Sequence, residues 1–363
     1  MKKVFFFLSF LLLISALAFS KSDTKQVMPT VRLITDQTGV DDKSFNAAAW
    51  RGILDYYNDT WNNQKHRGKF YDVVTCRDQT QAFEVLKSMA EEGIDLIIAT
   101  GFTFAESISK AADLYPEQKF VIIDFDSILK PNVMGFVFHE EEGSYLVGVA
   151  AALQAKEEGK NNPKFGFIGG IAGATITKFE MGYIQGIKSV FPDAEIVDFY
   201  LGGWNRKMAA KEKAKNWYDS GVYAIFCAAG ESALGVIAEA KQRQLKGQKV
   251  WAIGVDSDQY SEGIYSGTKS AVLTSMIKSV EQASKLALES VEKKSFRYGT
   301  IVLSLKDKGV DFSKSNPDLK PSVIKQTEKV KQEISSGKIK IYSTYQAALR
   351  AGIAPYGLGA KDN

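Results

Sequence analysis

The sequence predicts an α/β protein built from two successive arrays of parallel strands and helices. Short runs rich in β-branched and aromatic residues alternate with longer runs of helical period, which is typical of βαβ units. The pattern restarts after a helical run over residues 143–158. A chain of 363 residues is also long enough for two domains of about 100–200 residues each. We therefore expect two lobes, each with its own doubly wound sheet.

The first array begins with the strand Val31–Thr35 and a helix over residues 44–58, in which apolar side chains recur at helical spacing. A second helix ends at Gly93, a residue type that commonly terminates helices. Pro116 and Pro131 separate the later elements. The predicted strands of this array cover residues 31–35, 71–75, 94–98, 120–124 and 133–137.

The second array contains predicted strands near residues 164–168, 195–200, 223–228 and 249–255. A strand over 271–274, a helix over 277–293 and a last strand from residue 300 remain after two complete arrays. These remaining units indicate that the chain crosses between the lobes, and we expect crossings near 138–142, 254–258 and 294–298. The expected first lobe is 27–138 plus 257–295, and the expected second lobe is 139–256 plus 296–363.

The first residues of the chain are typical of a secretory signal peptide. Lys2 and Lys3 precede an apolar run, and the small residues Ala18 and Ser20 stand before Lys21. A membrane-spanning helix, the alternative, needs about 20 apolar residues, and this run is shorter. We expect cleavage after residue 20 and an exported protein, periplasmic or secreted. No cysteine follows the apolar run, so the sequence offers no site for lipid attachment there.

Composition and charge are those of an ordinary folded protein, with 45% hydrophobic residues, 24% charged residues and a net charge of +4. The lysines of the C-terminal third are interpreted as a solvated helix face, and no nucleic-acid partner is expected. Cys76 and Cys227 fall in different predicted lobes and do not form a disulfide framework. Only two histidines are present, and no metal site is expected.

The sequence contains none of the common motifs for cofactor binding or hydrolysis. Neither G-x-G-x-x-G nor the Walker A pattern occurs, so no phosphate-bearing cofactor is expected. Neither the nucleophile elbow G-x-S-x-G nor the zinc motif H-E-x-x-H occurs. The sequence therefore favours a protein that is not an enzyme.

Acidic residues follow several of the predicted strands, and ligands of open parallel sheets bind beyond the carboxyl ends of strands. Asp36 follows the first strand, Asp124 and Asp126 follow the fourth, and Asp256 and Asp258 follow the strand near 253. The favoured interpretation is capture of vicinal sugar hydroxyls, since each carboxylate accepts two hydrogen bonds. An acid/base pair or a site for a divalent cation remains the alternative.

Two segments at helix starts each allow a structural and a functional interpretation. Asp42 and Ser44 precede the first helix and suit helix capping as well as ligand binding. Phe45 lies in the first turn of that helix, either at the mouth of a cleft or in the core. Phe179 precedes Glu180-Met181-Gly182-Tyr183-Ile184-Gln185-Gly186, which also suits a helix that needs small residues for close packing.

These residues, taken in order, resemble the basic membrane protein family of ABC-transporter solute-binding proteins. The resemblance spans nearly the whole mature chain. It is carried by the following segments: Thr35-Asp36, Asp41-Asp42-Lys43-Ser44-Phe45-Asn46 with Trp50, Phe179-Glu180-Met181-Gly182-Tyr183, Ala229-Gly230, Ile253-Gly254-Val255-Asp256 and Thr274-Ser275-Met276-Ile277-Lys278. The family implies the type I periplasmic-binding-protein fold, two Rossmann-like lobes joined by three crossovers.

Because the chain is similar to spirochaetal nucleoside receptors of that family, the resemblance implies a role for each motif residue. Phe45 and Phe179 would sandwich the base, and Asp36 and Asn46 would bind its edge. The remaining residues that the resemblance places in the cleft are Asp42, Asp124 or Asp126, Gly230, Asp256 and Lys278, with Asp256 and Lys278 holding the ribose. Many relatives carry a lipid-anchoring cysteine that this chain lacks.

The resulting hypothesis is an exported receptor, expected as a monomer, that delivers a nucleoside, expected to be a purine nucleoside, to an ABC permease and its ATPase. Two other classes remain open. The protein could sense a ligand or contact other macromolecules through the same fold, or it could hydrolyse ribosides with its aspartates.

Overall fold

This computed structural model describes residues 28–126 and 128–354. The predicted signal peptide, residues 1–20, lies outside this range. The strands are β1 (Val31–Thr35), β2 (Tyr71–Thr75), β3 (Leu96–Thr100), β4 (Lys119–Ile123), β5 (Val133–Phe138), β6 (Lys164–Gly169), β7 (Ile196–Tyr200), β8 (Val222–Ala228), β9 (Trp251–Asp256), β10 (Ile264–Ser266), β11 (Lys269–Ser270), β12 (Val272–Lys278), β13 (Gly299–Leu303) and β14 (Val310–Phe312).

The helices alternate with these strands over most of the chain, as the periodicity predicts. They are α1 (Phe45–Tyr56), α2 (Ala82–Glu91), α3 (Ala105–Leu114), α4 (Glu140–Glu157), α5 (Ala174–Lys188), α6 (Lys207–Asp219), α7 (Ala233–Leu245), α8 (Val280–Glu292), α9 (Pro321–Ser335) and α10 (Tyr345–Arg350). Among the described residues, no helix combines the length and the apolar character needed to cross a membrane.

Twelve of these strands form two six-stranded sheets, one in each lobe, and β10 and β11 form a separate hairpin. The first sheet has the order β13-β5-β4-β3-β1-β2 and is parallel throughout. The second has the order β14-β12-β9-β8-β6-β7, and only β14 runs antiparallel to its neighbour. Helices α1, α2, α3 and α8 cover the first sheet, α4 to α7 pack against the second, and α9 and α10 pack on α4 and α5. The expectation of two doubly wound lobes is confirmed.

The chain crosses between the lobes three times, but only one crossing lies where the sequence predicts it. The first is at residues 139–140, between β5 and α4. The second is at Ser279, because β12 belongs to the second sheet while α8 packs against α1 in the first lobe. The third lies at residues 304–309, because β13 pairs with β5 and β14 pairs with β12.

The predicted crossings near 254–258 and 294–298 are therefore wrong. The prediction placed β12 in the first lobe and β13 in the second, whereas β12 belongs to the second sheet and β13 to the first. The physical reason lies in strand pairing. After β9 the short hairpin of β10 and β11 returns the chain to the start of β12, which pairs in parallel with β9. Backbone hydrogen bonds of a buried strand must be satisfied by a neighbour, and sequence alone does not show which sheet supplies that neighbour.

Small residues allow α4 and α5 to approach closely. A Cβ atom on Gly182 would lie 2.2 Å from the backbone oxygen of Glu141, and one on Gly186 would lie 2.2 Å from that of Tyr145. Contacts this short are sterically forbidden, so these positions require glycine. The close-packing interpretation of this segment is confirmed. Cys76 and Cys227 are both buried, unpaired and in different lobes, as expected.

Candidate functional site

A cleft between the lobes lies at the carboxyl ends of the strands of both sheets. It contains about 580 Å³ of space, including the part open to solvent, within the range of about 300–1,000 Å³ that is usual for small-molecule sites. The first lobe contributes Asp36, Thr38, Asp42, Phe45, Asn46, Thr100, Gly101, Phe102, Thr103 and Asp124. The second lobe contributes Ile176, Phe179, Trp204, Ala228, Gly230, Val255, Asp256 and Lys278.

Nine of the ten residues singled out from the sequence line this cleft. The exception is Asp126, which is exposed and lies outside the cleft lining. Its backbone oxygen accepts a hydrogen bond from Thr300 on β13. The prediction left open whether Asp124 or Asp126 completes the site; Asp124, which directly follows β4, lines the cleft, and Asp126 does not.

Polar side chains of the first lobe form a connected edge. The Asn46 amide donates to Asp36 Oδ1 at 3.0 Å and to Thr38 Oγ1 at 2.9 Å. Its oxygen accepts from Thr100 Oγ1 at 2.6 Å. Asp36 Oδ1 also accepts from the Thr38 backbone N–H at 3.0 Å. These bonds hold the Asp36 carboxylate and the Asn46 amide in one orientation.

Asp42 caps α1, whereas Ser44 does not. Asp42 accepts hydrogen bonds at 2.9 Å from the backbone N–H groups of Ser44, Asn46 and Ala47. Burial raises the pKa of Asp42 to about 7, although these bonds favour the ionised form. The Ser44 hydroxyl instead donates to Asp256 Oδ2 at 2.7 Å, across the cleft. The capping interpretation is thus confirmed for Asp42 and wrong for Ser44.

Two phenylalanine rings from opposite lobes flank the ammonium group of Lys278. Lys278 Nζ lies 5.1 Å from the ring centre of Phe45 and 5.2 Å from that of Phe179. The ring of Phe138 lies 4.9 Å away. Phe45 is half-buried and lines the cleft rather than the interior of the first lobe. The cleft therefore has aromatic surfaces on both sides and one buried cation at its base.

That cation belongs to a buried ionic network. Lys278 Nζ lies 2.6 Å and 2.7 Å from the two oxygens of Asp124 and 3.0 Å from Glu140 Oε1. Glu140 Oε2 contacts Lys178 Nζ at 3.2 Å. Burial opposes charge on Lys278, but Asp124, Glu140 and Asp256 outweigh it and hold its pKa above the usual value. Glu140 stays ionised because Lys278 and Lys178 outweigh the effect of burial and lower its pKa.

Asp124 and Asp256 stand at equivalent places in the two lobes, each at a strand end with the backbone in the left-handed region. Their φ angles are 72° and 62°, a conformation that aspartate tolerates better than most residues. Burial raises the pKa of both carboxyls. Asp124 Oδ1 is buried and accepts no hydrogen bond from the described part of the chain, although Lys278 lies in ion contact. This oxygen is suited to accept a hydrogen bond from a ligand hydroxyl group.

Trp204 and Phe102 line the mouth of the cleft and were missed from the sequence. Their rings meet edge to face, with centres 6.0 Å apart and an interplanar angle of 75°. The ring of Trp204 covers Gly170, where a Cβ atom would lie 2.1 Å from it. Trp204 follows β7 and Phe102 follows β3, so the rule applied to the strand-end aspartates would have found them. Glu140 was also missed, although it lies two residues after β5.

Two α/β lobes that enclose an aromatic and acidic cleft define a substrate-binding protein of the two-lobe class. The family described as "ABC transporter substrate-binding protein PnrA-like" (Bmp) matches residues 30–345. The chain belongs to this family, as the motif resemblance predicts, and is a substrate-binding protein of an ABC transporter. Such proteins of ABC importers act in the periplasm or outside the cell.

Individual relatives agree with this assignment. The chain is 35% identical over 323 residues to the "ABC transporter nucleoside-binding protein BmpA" of Lactococcus lactis subsp. cremoris, covering 86% of this chain and 88% of that protein. It is 33% identical over 319 residues to the "CD4+ T-cell-stimulating antigen" of Listeria innocua, covering 86% and 87%. An ABC-transporter solute-binding protein of Aeropyrum pernix K1 has a similar fold, with a TM-score of 0.76, 25% identity and coverage of 89% and 98%. The predicted fold class is confirmed.

Proposed function

We propose that the protein captures a nucleoside, with purine nucleosides preferred, and delivers it to an ABC permease. The observation that carries the proposal is the pair of rings, Phe45 from the first lobe and Phe179 from the second, on either side of one cleft. A purine base has two flat apolar faces that stack on aromatic rings. Because the rings belong to different lobes, stacking and lobe closure are one event.

The polar edge beside Phe45 suits the rim of a base. Within the described part of the chain, hydrogen bonds to the Asp36 carboxylate reach Oδ1, which leaves Oδ2 to accept from an N–H group of the ligand. The Asn46 amide donors are engaged by Asp36 and Thr38, so Asn46 contributes mainly by orienting Asp36. A purine with a ring N–H group would satisfy this acceptor.

The carboxylates at the base of the cleft suit the hydroxyl groups of a ribose. Asp124 Oδ1 is a buried acceptor in ion contact with Lys278 that receives no aligned hydrogen bond from the described chain, and Asp256 stands at the equivalent strand end of the other lobe. Gly230 lines the same wall with a φ of 54°, where a side chain would be strained. A diol that bridges the lobes would offer two donors to these two carboxylates.

The charge of the cleft favours a nucleoside over a nucleotide. Asp36, Asp124 and Asp256 line it, and the lining cation Lys278 is already paired with Asp124 and Glu140. A phosphate group would lie among carboxylates without a free cation in the lining, which is unfavourable in a buried site. The name of the Lactococcus relative, a nucleoside-binding protein, supports the same ligand class.

A thermal-shift panel on refolded, ligand-stripped protein tests the proposal. Purine and pyrimidine nucleosides, free bases, nucleotides and simple sugars are compared at equal concentration. A ligand at 100 times its Kd adds about 2.7 kcal/mol to the free energy of unfolding, so nucleosides should raise Tm and nucleoside monophosphates should not. A panel without any nucleoside shift would contradict the proposal.

The same samples test the enzymatic alternative. Inosine and guanosine are incubated with the protein and analysed for free base by chromatography. We expect no product. Release of base that is abolished by Asp256→Ala would instead identify a riboside hydrolase and replace the proposed function.

A further inference from the structure

Glu140 is buried close to the proposed ligand site without lining the cleft. Its side chain is 1% exposed, and it is the first residue of α4, directly after the chain crosses from the first lobe to the second. One oxygen contacts Lys278 at 3.0 Å and the other contacts Lys178 at 3.2 Å. Burying a carboxylate costs several kcal/mol unless it is paired, so this position needs a specific reason for a charged residue.

The reason is the charge balance around Asp124. The charged groups that face Asp124 are Lys278 from β12, Glu140 from α4 and Asp256 from β9, and Lys178 from α5 faces Glu140. If Lys278 had no other partner, its ammonium group would pair with Asp124 alone. Because Glu140 also binds Lys278, at 3.0 Å, the charge of the ammonium group is divided between two carboxylates. Asp124 Oδ1 lies in ion contact with Lys278 Nζ at 2.6 Å, but no donor of the described chain is aligned to make a hydrogen bond to it.

We propose that Glu140 is a positioning residue for ligand binding: by sharing the charge of Lys278, it leaves Asp124 able to accept a hydrogen bond from a ligand hydroxyl. This inference rests on the proposed function for the identity of the ligand. It assigns Glu140 a role through Lys278 and Asp124, and no contact with the ligand.

The experiment compares the variants Glu140→Gln, Lys178→Met and the double variant, with inosine as the titrated ligand in calorimetry. The double variant removes one charge of each sign and thus protects against a folding failure caused by unpaired buried charge. Lys178→Met is the matched control, because it removes the other ion pair of Glu140 and keeps the pair with Lys278. All variants are first checked for cooperative unfolding.

We expect Glu140→Gln and the double variant to bind inosine about tenfold more weakly at neutral pH, with Lys178→Met close to the wild type. Affinity of the wild type should fall as pH drops through the raised pKa of Asp124. Removing the negative charge of Glu140 lowers that pKa, so the decline should move to lower pH in both Glu140 variants. Wild-type affinity and pH profile in those variants would overturn the inference. So would a Lys178→Met variant as weak as Glu140→Gln, since that would indicate a merely structural role.

A readout without ligand separates this inference from the proposed function. Carbon-13 NMR of labelled aspartate, assigned with Asp124→Asn, follows the carboxyl of Asp124 directly. Its pKa should fall in Glu140→Gln and remain unchanged in Lys178→Met. If the wild type binds no nucleoside, the proposed function fails, and the titration still decides the charge sharing. An Asp124 titration that is unaffected by Glu140→Gln would overturn the inference.

Discussion

At the scale of single residues, the two cleft phenylalanines are held differently. Phe179 is 2% exposed and packs against Phe226, with ring centres 6.2 Å apart. Phe45 is half-buried and its ring faces the cleft. One ring is therefore part of the core of the second lobe, while the other is presented by the first turn of α1. Loss of either ring should affect binding, but only loss of Phe179 should also affect packing.

We expect Phe45→Ala to weaken nucleoside binding by about 1–3 kcal/mol through lost stacking and apolar burial, with little change in the free energy of unfolding. Phe179→Ala should weaken binding by a similar amount and also lower the free energy of unfolding by about 3–5 kcal/mol. Calorimetry and urea denaturation measure the two effects. Phe199→Ala, at an exposed aromatic residue outside the cleft lining, is the control. Unchanged affinity in both cleft variants would remove the sandwich arrangement.

At the scale of elements, the loops after β3 and β7 bring Phe102 and Trp204 together across the cleft mouth. Phe102 belongs to the first lobe and Trp204 to the second, so this contact joins the two lobes. The loop that contains Trp204 is held in place by two hydrogen bonds. The backbone carbonyl of Trp204 accepts one from the Ser232 hydroxyl at 2.7 Å and one from the Ser232 backbone N–H at 2.9 Å. The ring contact is therefore expected to break when the lobes separate.

A double-mutant cycle with Phe102→Ala and Trp204→Ala tests this contact. Each single change should weaken ligand binding, and the double change should cost less than their sum, with a coupling of about 0.5–1.5 kcal/mol for an edge-to-face pair. Binding free energies from calorimetry provide the cycle. Pairing Trp204→Ala with Phe199→Ala should be additive. Strict additivity of the Phe102 and Trp204 changes would show that the rings do not act as a pair during closure.

At the scale of the whole molecule, buried carboxyls link stability to pH. Burial raises the pKa of Asp42, to about 7, and those of Asp124 and Asp256. A hydrogen bond to Glu141 raises the pKa of His139. Between about pH 5 and pH 8 the folded protein thus holds more protons than the unfolded chain. By linkage, its free energy of unfolding falls as pH rises across this range.

Urea denaturation of the ligand-free protein at about pH 5.5 and about pH 8 should show the higher free energy of unfolding at the lower pH. Asp42→Asn should reduce this pH dependence, because the backbone N–H groups of Ser44, Asn46 and Ala47 would then donate to a side-chain amide, which does not titrate. Asp78→Asn is the control, since hydrogen bonds from Thr80 lower the pKa of Asp78 and its titration lies below the range. Equal stability at the two pH values would contradict the expectation.

Local sequence patterns predict the elements well because the periodicity of apolar residues reflects which face each element buries. β1 and β2 have the bounds that the sequence predicts, and Gly93 follows α2 with a φ of 71°. The same holds for the strand-end aspartates, because parallel strands end at a common edge. Local position does not show the partner of a residue whose contacts come from the opposite lobe, such as Ser44 with Asp256 or Trp204 with Phe102.

The sequence by itself determined the α/β class, the order of elements and the family. Of the ten residues that it placed in the cleft, nine line it. Tertiary structure alone decided that β12 and β13 pair in the opposite lobes from those predicted, because strand pairing is a contact between distant segments. It also decided that Lys278 is shared between Asp124 and Glu140. The ionisation of a buried charged group depends on the groups that folding brings next to it. Here those groups are Asp124 after β4, Glu140 in α4, Lys178 in α5 and Lys278 in β12, which are far apart along the chain.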